Sequence, residues 1–281
     1  MRTHHTRRHL ALFTATACLL AVTACSTGPD PEHGDQHQGT GHGNGGHHES
    51  TSTGLAATER GYTLDQPRLN GAGGLTLRIL GPSGRPQTKF QVVQTKRLHL
   101  YLVRQDLADF HHLHPELAAD GSWHTSVRLE TGGPYRVFTE FTAVDPGGEG
   151  THLVLSRPLS APGRYQPRPL PAATSSVPVP GGYTVTWSGA ARAGQHSALS
   201  ARITRAGRPV TDLQPYLDSY AHLTAFRAGD LAVSHLHPQH TGRGPELRFA
   251  ATFPGAGDYL MFLQFRAGDQ LRLAPMRLRV S

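Results

Sequence analysis

Residues Arg97–Pro115 read RLHLYLVRQDLADFHHLHP, and residues Tyr220–Pro238 read YAHLTAFRAGDLAVSHLHP. At a constant offset of 123, His99, Leu100, Arg104, His112, Leu113, His114 and Pro115 recur as His222, Leu223, Arg227, His235, Leu236, His237 and Pro238. The frame extends back without a gap to Gly84-Arg85-Pro86 against Gly207-Arg208-Pro209, and 12 of its 32 positions are identical. The chain therefore carries an internal duplication, and each copy holds three histidines.

Leu98–Arg104 alternates and is rich in β-formers, which predicts a strand. Gln105–Ala108 has the length of a four-residue hairpin loop, so the returning strand runs through His112. In that register the numbers of paired residues sum to 213, so that His99 opposes His114 and Tyr101 opposes His112. Residues two apart leave a strand on the same face. Three imidazoles then share one face of one hairpin, while Leu113 turns toward the core. A slip of one residue would move His99 to the opposite face. In the second copy the sum is 459: His222 opposes His237, Thr224 opposes His235, and Leu236 turns inward.

Short alternating runs bounded by Gly and Pro flank the hairpin, among them Gly74–Leu80 and Trp123–Leu129. Later in each copy, Gly133-Pro134-Tyr135 through Phe141 matches Gly257-Asp258-Tyr259 through Phe265 at an offset of 124. Tyr135, Val137, Thr139 and Phe141 alternate onto one face, as do Tyr259, Met261, Leu263 and Phe265, which marks both sets as core. A Gly-x-Tyr entry followed by alternation is the pattern of the penultimate strand of an immunoglobulin-like sandwich, where the tyrosine packs a corner. The final strands are expected at His152–Leu155 and Leu271–Val280. No segment sustains a period near 3.6, which argues against helices. The expected fold class is all-β, with two tandem immunoglobulin-like or cupredoxin-like β-sandwich repeats after a signal and a disordered linker.

The organisation read along the chain begins with a lipoprotein signal at 1–24. Arg2, Arg7 and Arg8 form its basic region, Leu10–Val22 its apolar core, and Val22-Thr23-Ala24-Cys25 a lipobox. Thr6–Leu10 also has features of a twin-arginine signal. Lipidated Cys25 and a His/Gly-rich tether occupy 25–60, a segment too poor in apolar residues to bury a core. The first sandwich is expected at 61–161, a Pro/Ala/Ser-rich linker at 162–180 and the second sandwich at 181–281. The protein is thus expected outside the cytoplasm, held to the cell membrane by its lipid.

The two cysteines are Cys18, inside the signal, and Cys25. The remainder of the chain therefore has no disulfide and no thiolate ligand. After the signal methionine occurs only at 261 and 276, which excludes a methionine-rich Cu(I) site. The formal charge of +7 is scattered and almost all its basic residues are arginine, so no nucleic-acid partner is expected.

Together, the doubled H-L-Y-L-V…H-L-H-P hairpin and the Gly-x-Tyr strand resemble a family of actinobacterial secreted lipoproteins with tandem immunoglobulin-like or cupredoxin-like modules. The resemblance covers Gly74 to the end of the chain. It implies extracytoplasmic handling of heavy metal, copper above all, with His99, His112, His114, His222, His235 and His237 as ligands. The chain departs from a blue-copper site in having no cysteine or suitably placed methionine to complete one.

Neutral imidazoles suit copper and zinc. The leading expectation is binding or buffering of copper, zinc or another divalent metal by the repeated three-His faces, at one shared site or at two. His33, His37, His42, His47 and His48 in the tether add a weak, flexible chelator. A transporter or other envelope protein is the expected partner beyond the membrane itself. Two further readings stand beside this one: a non-catalytic adhesion or assembly module with structural histidines, and a three-His metalloenzyme. The enzyme reading is the weaker, since no repeated carboxylate offers a general base. His111, His124, His152, His196 and His240 have no counterpart in the other copy and are read as incidental. Arg104 and Arg227, at the hairpin tip, are read as solvated caps or carboxylate partners.

Overall fold

The computed structural model describes residues 53–239 and 242–281, and for His235 and His237 it describes the backbone. The signal, Cys25, the tether residues His33, His37, His42, His47 and His48, and His240 lie outside the described residues. The first module contains β1 (Thr58–Glu59), β2 (Tyr62–Leu64), β3 (Arg68–Leu69), β4 (Gly74–Leu80), β5 (His99–Arg104), β6 (Phe110–Leu113), β7 (Glu116–Leu117), β8 (Ser122–Ser126), β9 (Gly133–Val144) and β10 (Gly150–Ala161). The second contains β11 (Ser176–Val179), β12 (Tyr183–Ser188), β13 (His196–Arg205), β14 (Arg208–Pro209), β15 (Ala221–Arg227), β16 (Val233–Pro238), β17 (Glu246–Thr252), β18 (Gly257–Ala267) and β19 (Gln270–Val280). Every pairing between these strands is antiparallel, and no helix occurs among the described residues.

Each module is a two-layer sandwich. In the first, the layer β1-β2-β4-β8-β7 faces the layer β10-β9-β5-β6. The alternation of Gly74–Leu80 sets this up: Leu75, Leu77 and Ile79 are buried against Leu100, Leu102, Val137 and Leu155. In the second module the strands follow the order β11-β12-β13-β17-β16-β15-β18-β19 without a break. The continuity comes from β16. Its first four residues pair with β15 and its last two, His237 and Pro238, pair with β17. The first module makes the same crossing in two pieces, because β6 pairs with β5 and β7 pairs with β8. The His-Leu-His-Pro sequence is therefore the corner at which a strand leaves one layer for the other, the way sandwich edges are turned.

Tyr135 donates its hydroxyl to the Thr131 carbonyl at 3.0 Å, and Tyr259 donates to the Gly255 carbonyl at 2.9 Å. Both reach four residues back, as the corner tyrosine of an immunoglobulin-like sandwich does.

Three expectations change. The stretch read as tether is ordered from Thr53: its carbonyl accepts from Val233 N, Ala56 O accepts from Ser156 N, and Thr58–Glu59 pairs with β2. Backbone pairing holds the segment, together with Leu55, which packs against the cluster between the modules. Ser176–Val179, read as linker, is a strand because Val177 and Val179 alternate onto the second core. The strand expected at His152–Leu155 extends over all of β10, which pairs with β9 along its whole length.

The two β5- and β15-containing layers pack against each other. Phe110 of the first module stacks on Phe262 of the second at 4.1 Å between ring centroids, and Tyr101, Val103, Phe138 and Val154 meet Phe226, Val233 and Leu260. Both β5 and β15 are consequently buried on both faces.

Candidate metal centre

The β5–β6 hairpin pairs Tyr101 with His112 and Leu100 with Leu113, and Arg104 N donates to Asp109 O across a four-residue loop. Alternation sends Leu100 and Leu102 into the first core and leaves His99, Tyr101 and Val103 facing the second module. In β15–β16, Thr224 pairs with His235 and Leu223 with Leu236. His222 of the second copy lies against the first copy's histidines: its ring is 4.5 Å from that of His112 and stacks 5.8 Å from that of His99.

His99, His112 and His114 each offer a ring nitrogen such that all three lie within 4.8 Å of one another. The partners behind the rings fix how they face. His99 Nε2 is 3.2 Å from the Val93 carbonyl, which can only accept, so Nε2 carries the proton and Nδ1 the lone pair. His112 Nδ1 is 2.8 Å from Gln264 Oε1 in the second module, which places that ring's lone pair on Nε2. These two lone-pair nitrogens stand 3.1 Å apart. Two ligands on one metal at bonds of about 2 Å and a tetrahedral angle are separated by about 3.3 Å. A positive species belongs between them: a proton, making one imidazolium, or a metal ion.

His114 Nε2 is buried without a hydrogen-bond partner among the described residues. Burial, followed by the nearby His99 and Lys96, pulls its pKa down to about 4, so the ring is neutral at pH 7 and its lone pair is available. The donor set is three imidazoles, two of them held from behind in the manner of metal-ligating histidines.

A second hydrogen-bonded group adjoins the triad. Tyr101, fully buried, donates to Glu140 Oε2 at 2.9 Å. With its proton committed, it accepts from His222 Nε2 at 3.2 Å. Burial, then the Glu140 carboxylate, holds the Tyr101 hydroxyl protonated well above its ordinary range. Glu140 Oε1 in turn meets His152 Nε2 at 3.1 Å. Burial depresses His152, but the hydrogen bond and charge of Glu140 outweigh it and the net shift is upward.

Four residues around the site escape a reading confined to the repeated histidines. Glu140 and Gln264 occupy equivalent places in β9 and β18, and each pairs in the backbone with a repeat histidine, His99 and His222 respectively. Their signal is a buried polar residue kept at the same point of both strands. His152, read as incidental, joins Glu140, and Val93 supplies a backbone group that no side-chain pattern reveals. His111 lies 3.0 Å from Asp109 and His124 2.7 Å from Ser122 Oγ, both away from the triad. Arg104 is not a solvated cap: it is 1% exposed, paired with Asp106 at 2.7 Å and in contact with Thr131. Arg227 pairs with Asp230 at 2.5 Å.

Fold and junction define a tandem β-sandwich protein whose two modules meet over clustered imidazoles. The family model described as Domain of unknown function (DUF8832) matches residues 58–150 and 176–281, one stretch in each sandwich, and the chain belongs to that family. No curated protein matches it. Among solved structures it is similar to the S-layer protein rSbsC (12% identity, 75% of this chain and 24% of that one, TM-score 0.25). It is similar also to Escherichia coli alpha-2-macroglobulin activated by porcine elastase (13%, 78% and 23%, TM-score 0.26) and to the Yersinia pseudotuberculosis adhesin InvE (10%, 79% and 59%, TM-score 0.24). The chain spans about a quarter of the length of the first two.

Proposed function

We propose that this protein binds a transition metal, copper or zinc, outside the cytoplasmic membrane, anchored through a lipid on Cys25, and buffers it or exchanges it with an envelope partner such as a transporter. The observation that carries this reading is the pair of lone-pair nitrogens, His99 Nδ1 and His112 Nε2, held 3.1 Å apart by partners behind each ring. His114 supplies a third neutral donor, and the two modules share the centre because Gln264 of one orients His112 of the other. His222 is the second copy's neighbour of the triad, and His235 and His237 are carried as ligands from the sequence repeat. Binding is favoured over turnover, since the carboxylate beside the site, Glu140, is engaged by Tyr101 and His152.

A second reading keeps the same contacts and gives them a structural role. The apolar junction around Phe110 and Phe262 holds the modules together, the imidazoles serve as hydrogen-bonding groups within it, and the protein acts as an adhesion or assembly module at the cell surface. Equilibrium dialysis separates the two. The full chain with His33, His37, His42, His47 and His48 changed to Ser is dialysed against copper or zinc, beside the same chain carrying His112→Asn. The metal reading expects one equivalent that disappears with His112→Asn. Equal metal content in a pair of folded proteins would leave the structural reading.

A further inference from the structure

We infer that one end of the second sandwich holds a separate site for a phosphoryl oxyanion, either free or borne by a phosphodiester head group. It is built around Tyr183 and uses none of the histidines. Tyr183 pairs with Arg205 across β12 and β13, and Arg205 pairs with Arg208 across the turn Ala206-Gly207, so the three side chains form one row on one face. Arg272 reaches the same ring from the other layer, where it pairs with the core residue Phe265. The guanidinium carbons of Arg205 and Arg272 stand 5.1 Å and 4.1 Å from the Tyr183 ring centroid. Tyr183, Arg205, Arg208, Asp212 and Gly268 line a cleft of about 290 Å³.

Like charges placed directly opposite on paired strands destabilise the pair, so this gathering calls for a counter-charge. Among the described residues none of Arg205, Arg208 and Arg272 makes an ion pair: Asp230 is taken by Arg227, Glu246 by Arg248, and Asp258 by Arg277 and Arg279. The fold does not itself require arginine here. Gly61-Tyr62-Thr63 is the first module's match to Gly182-Tyr183-Thr184, yet Pro82 stands at the offset of 123 from Arg205, and Leu153, paired with Phe141, takes the place of Arg272. The contacts also hold the guanidinium groups while leaving donors over. Arg205 Nε donates to the Gly181 carbonyl at 3.2 Å, and Arg272 Nε and Nη1 donate to the carbonyls of Ala267 and Pro180. Both terminal nitrogens of Arg205 and Nη2 of Arg272 remain. That Nη2 and the Tyr183 hydroxyl lie 3.8 Å and 3.4 Å from the point a Gly268 Cβ would occupy, at the cleft wall. Guanidinium forks fixed in this way match the oxygens of a phosphate. The wider field agrees: residues 176–281 hold eleven arginines against six carboxylates, whereas in 58–150 basic and acidic residues are equal in number.

The test titrates the metal-free full chain at constant ionic strength with inorganic phosphate and, separately, with glycerophosphoglycerol, reading binding by calorimetry and stability by thermal unfolding. The expected result is saturable binding that raises the unfolding temperature where chloride does not. Arg208→Ala should weaken that binding at least about tenfold. Without the anion the same variant should unfold no earlier than the parent, because it relieves the repulsion with Arg205. Arg85→Ala, at the matching place in the first module, should bind as the parent does. A stronger response to the diester assigns the site to a head group, and a stronger response to inorganic phosphate assigns it to the free anion. Absence of binding, or binding that Arg208→Ala leaves intact, would overturn the site. An Arg208→Ala chain that loses stability equally with and without the anion would overturn it too, and would give the arginine row a purely structural duty over Tyr183.

Discussion

His112 in the first module donates its Nδ1 hydrogen to Gln264 Oε1 in the second at 2.8 Å, and this contact decides which nitrogen of His112 faces His99. Removing the acceptor frees the ring to rotate or to change tautomer without altering any ligand. Losing such an outer partner typically lowers metal affinity 10–100-fold. Gln264→Leu is therefore expected to weaken His112-dependent metal binding by about that factor while the β-sheet circular dichroism stays unchanged. Unaltered affinity in the folded variant would mean that His112 is not oriented from the second module.

His114 makes the metal-free protein sensitive to acid. Its pKa lies near 4 in the folded chain against 6.5 in the unfolded one, with burial the largest cause. Below pH 6.5 the unfolded state takes up a proton that the folded state refuses, so stability is lost as pH falls from about 6.5 toward 4 and levels off below. Urea midpoints of the metal-free chain at pH 7 and pH 5 should differ, and His114→Gln should reduce the difference. Parallel pH curves for the two proteins would remove His114 as the cause.

The hairpin register is legible as far as the corner: Tyr101 pairs with His112 and Thr224 with His235, as period two and the duplication require. Beyond it the expectation fails, because His237, expected opposite His222, pairs with Ala250 of β17 as the strand changes layer, and His114 lies past the end of β6. What the sequence does not display is the face-to-face packing of the modules. That packing depends on Phe110, Phe138, Phe226 and Phe262, which read as ordinary strand aromatics until both layers are in place. Glu140 and Gln264 are hidden for a related reason. Each matters through the opposite module, or through Tyr101, rather than through its neighbours in sequence. The turns before β5 and β15 are equally unannounced: Gln94, Thr95, Leu217 and Asp218 all adopt positive φ, between 48° and 66°, without glycine. Val93, whose carbonyl holds His99, sits at the start of the first of them.

Tyr101 links Glu140 to His222, with its hydroxyl between a carboxylate it donates to and an imidazole it accepts from. Phenylalanine preserves the ring, which lies 4.8 Å from the His112 ring centroid, but takes the hydroxyl from two buried groups. Losing a hydrogen bond to a charged group costs about 1.5–3 kcal/mol. Tyr101→Phe is expected to destabilise the chain by at least that amount, measured by denaturant unfolding, with the loss larger than for Tyr62→Phe in the first core. Equal losses at the two positions would show that the Glu140–Tyr101–His222 contacts contribute little.

Gly54 tests whether the segment ahead of the first strand is part of the folded unit. Its φ is +65°, and a Cβ there would stand 2.5 Å from Val233 Cγ1 and 2.9 Å from Val154 Cγ1, one on each module. Thr53 O meanwhile accepts from Val233 N, and Arg136 Nη1 donates to Leu55 O at 3.2 Å. Glycine is thus required twice, for the backbone angle and for the space. Alanine in left-handed backbone costs about 1–2 kcal/mol before any clash is counted. Gly54→Ala should therefore lift residues 53–57 off the junction, and limited proteolysis of the variant should cleave there under conditions that leave the parent chain whole. Global stability should fall by at least about 1 kcal/mol, because Val233 and Val154 lose cover at the seam between the modules. A variant as protease-resistant as the parent would mean that the segment rests on the surface without contributing to the junction.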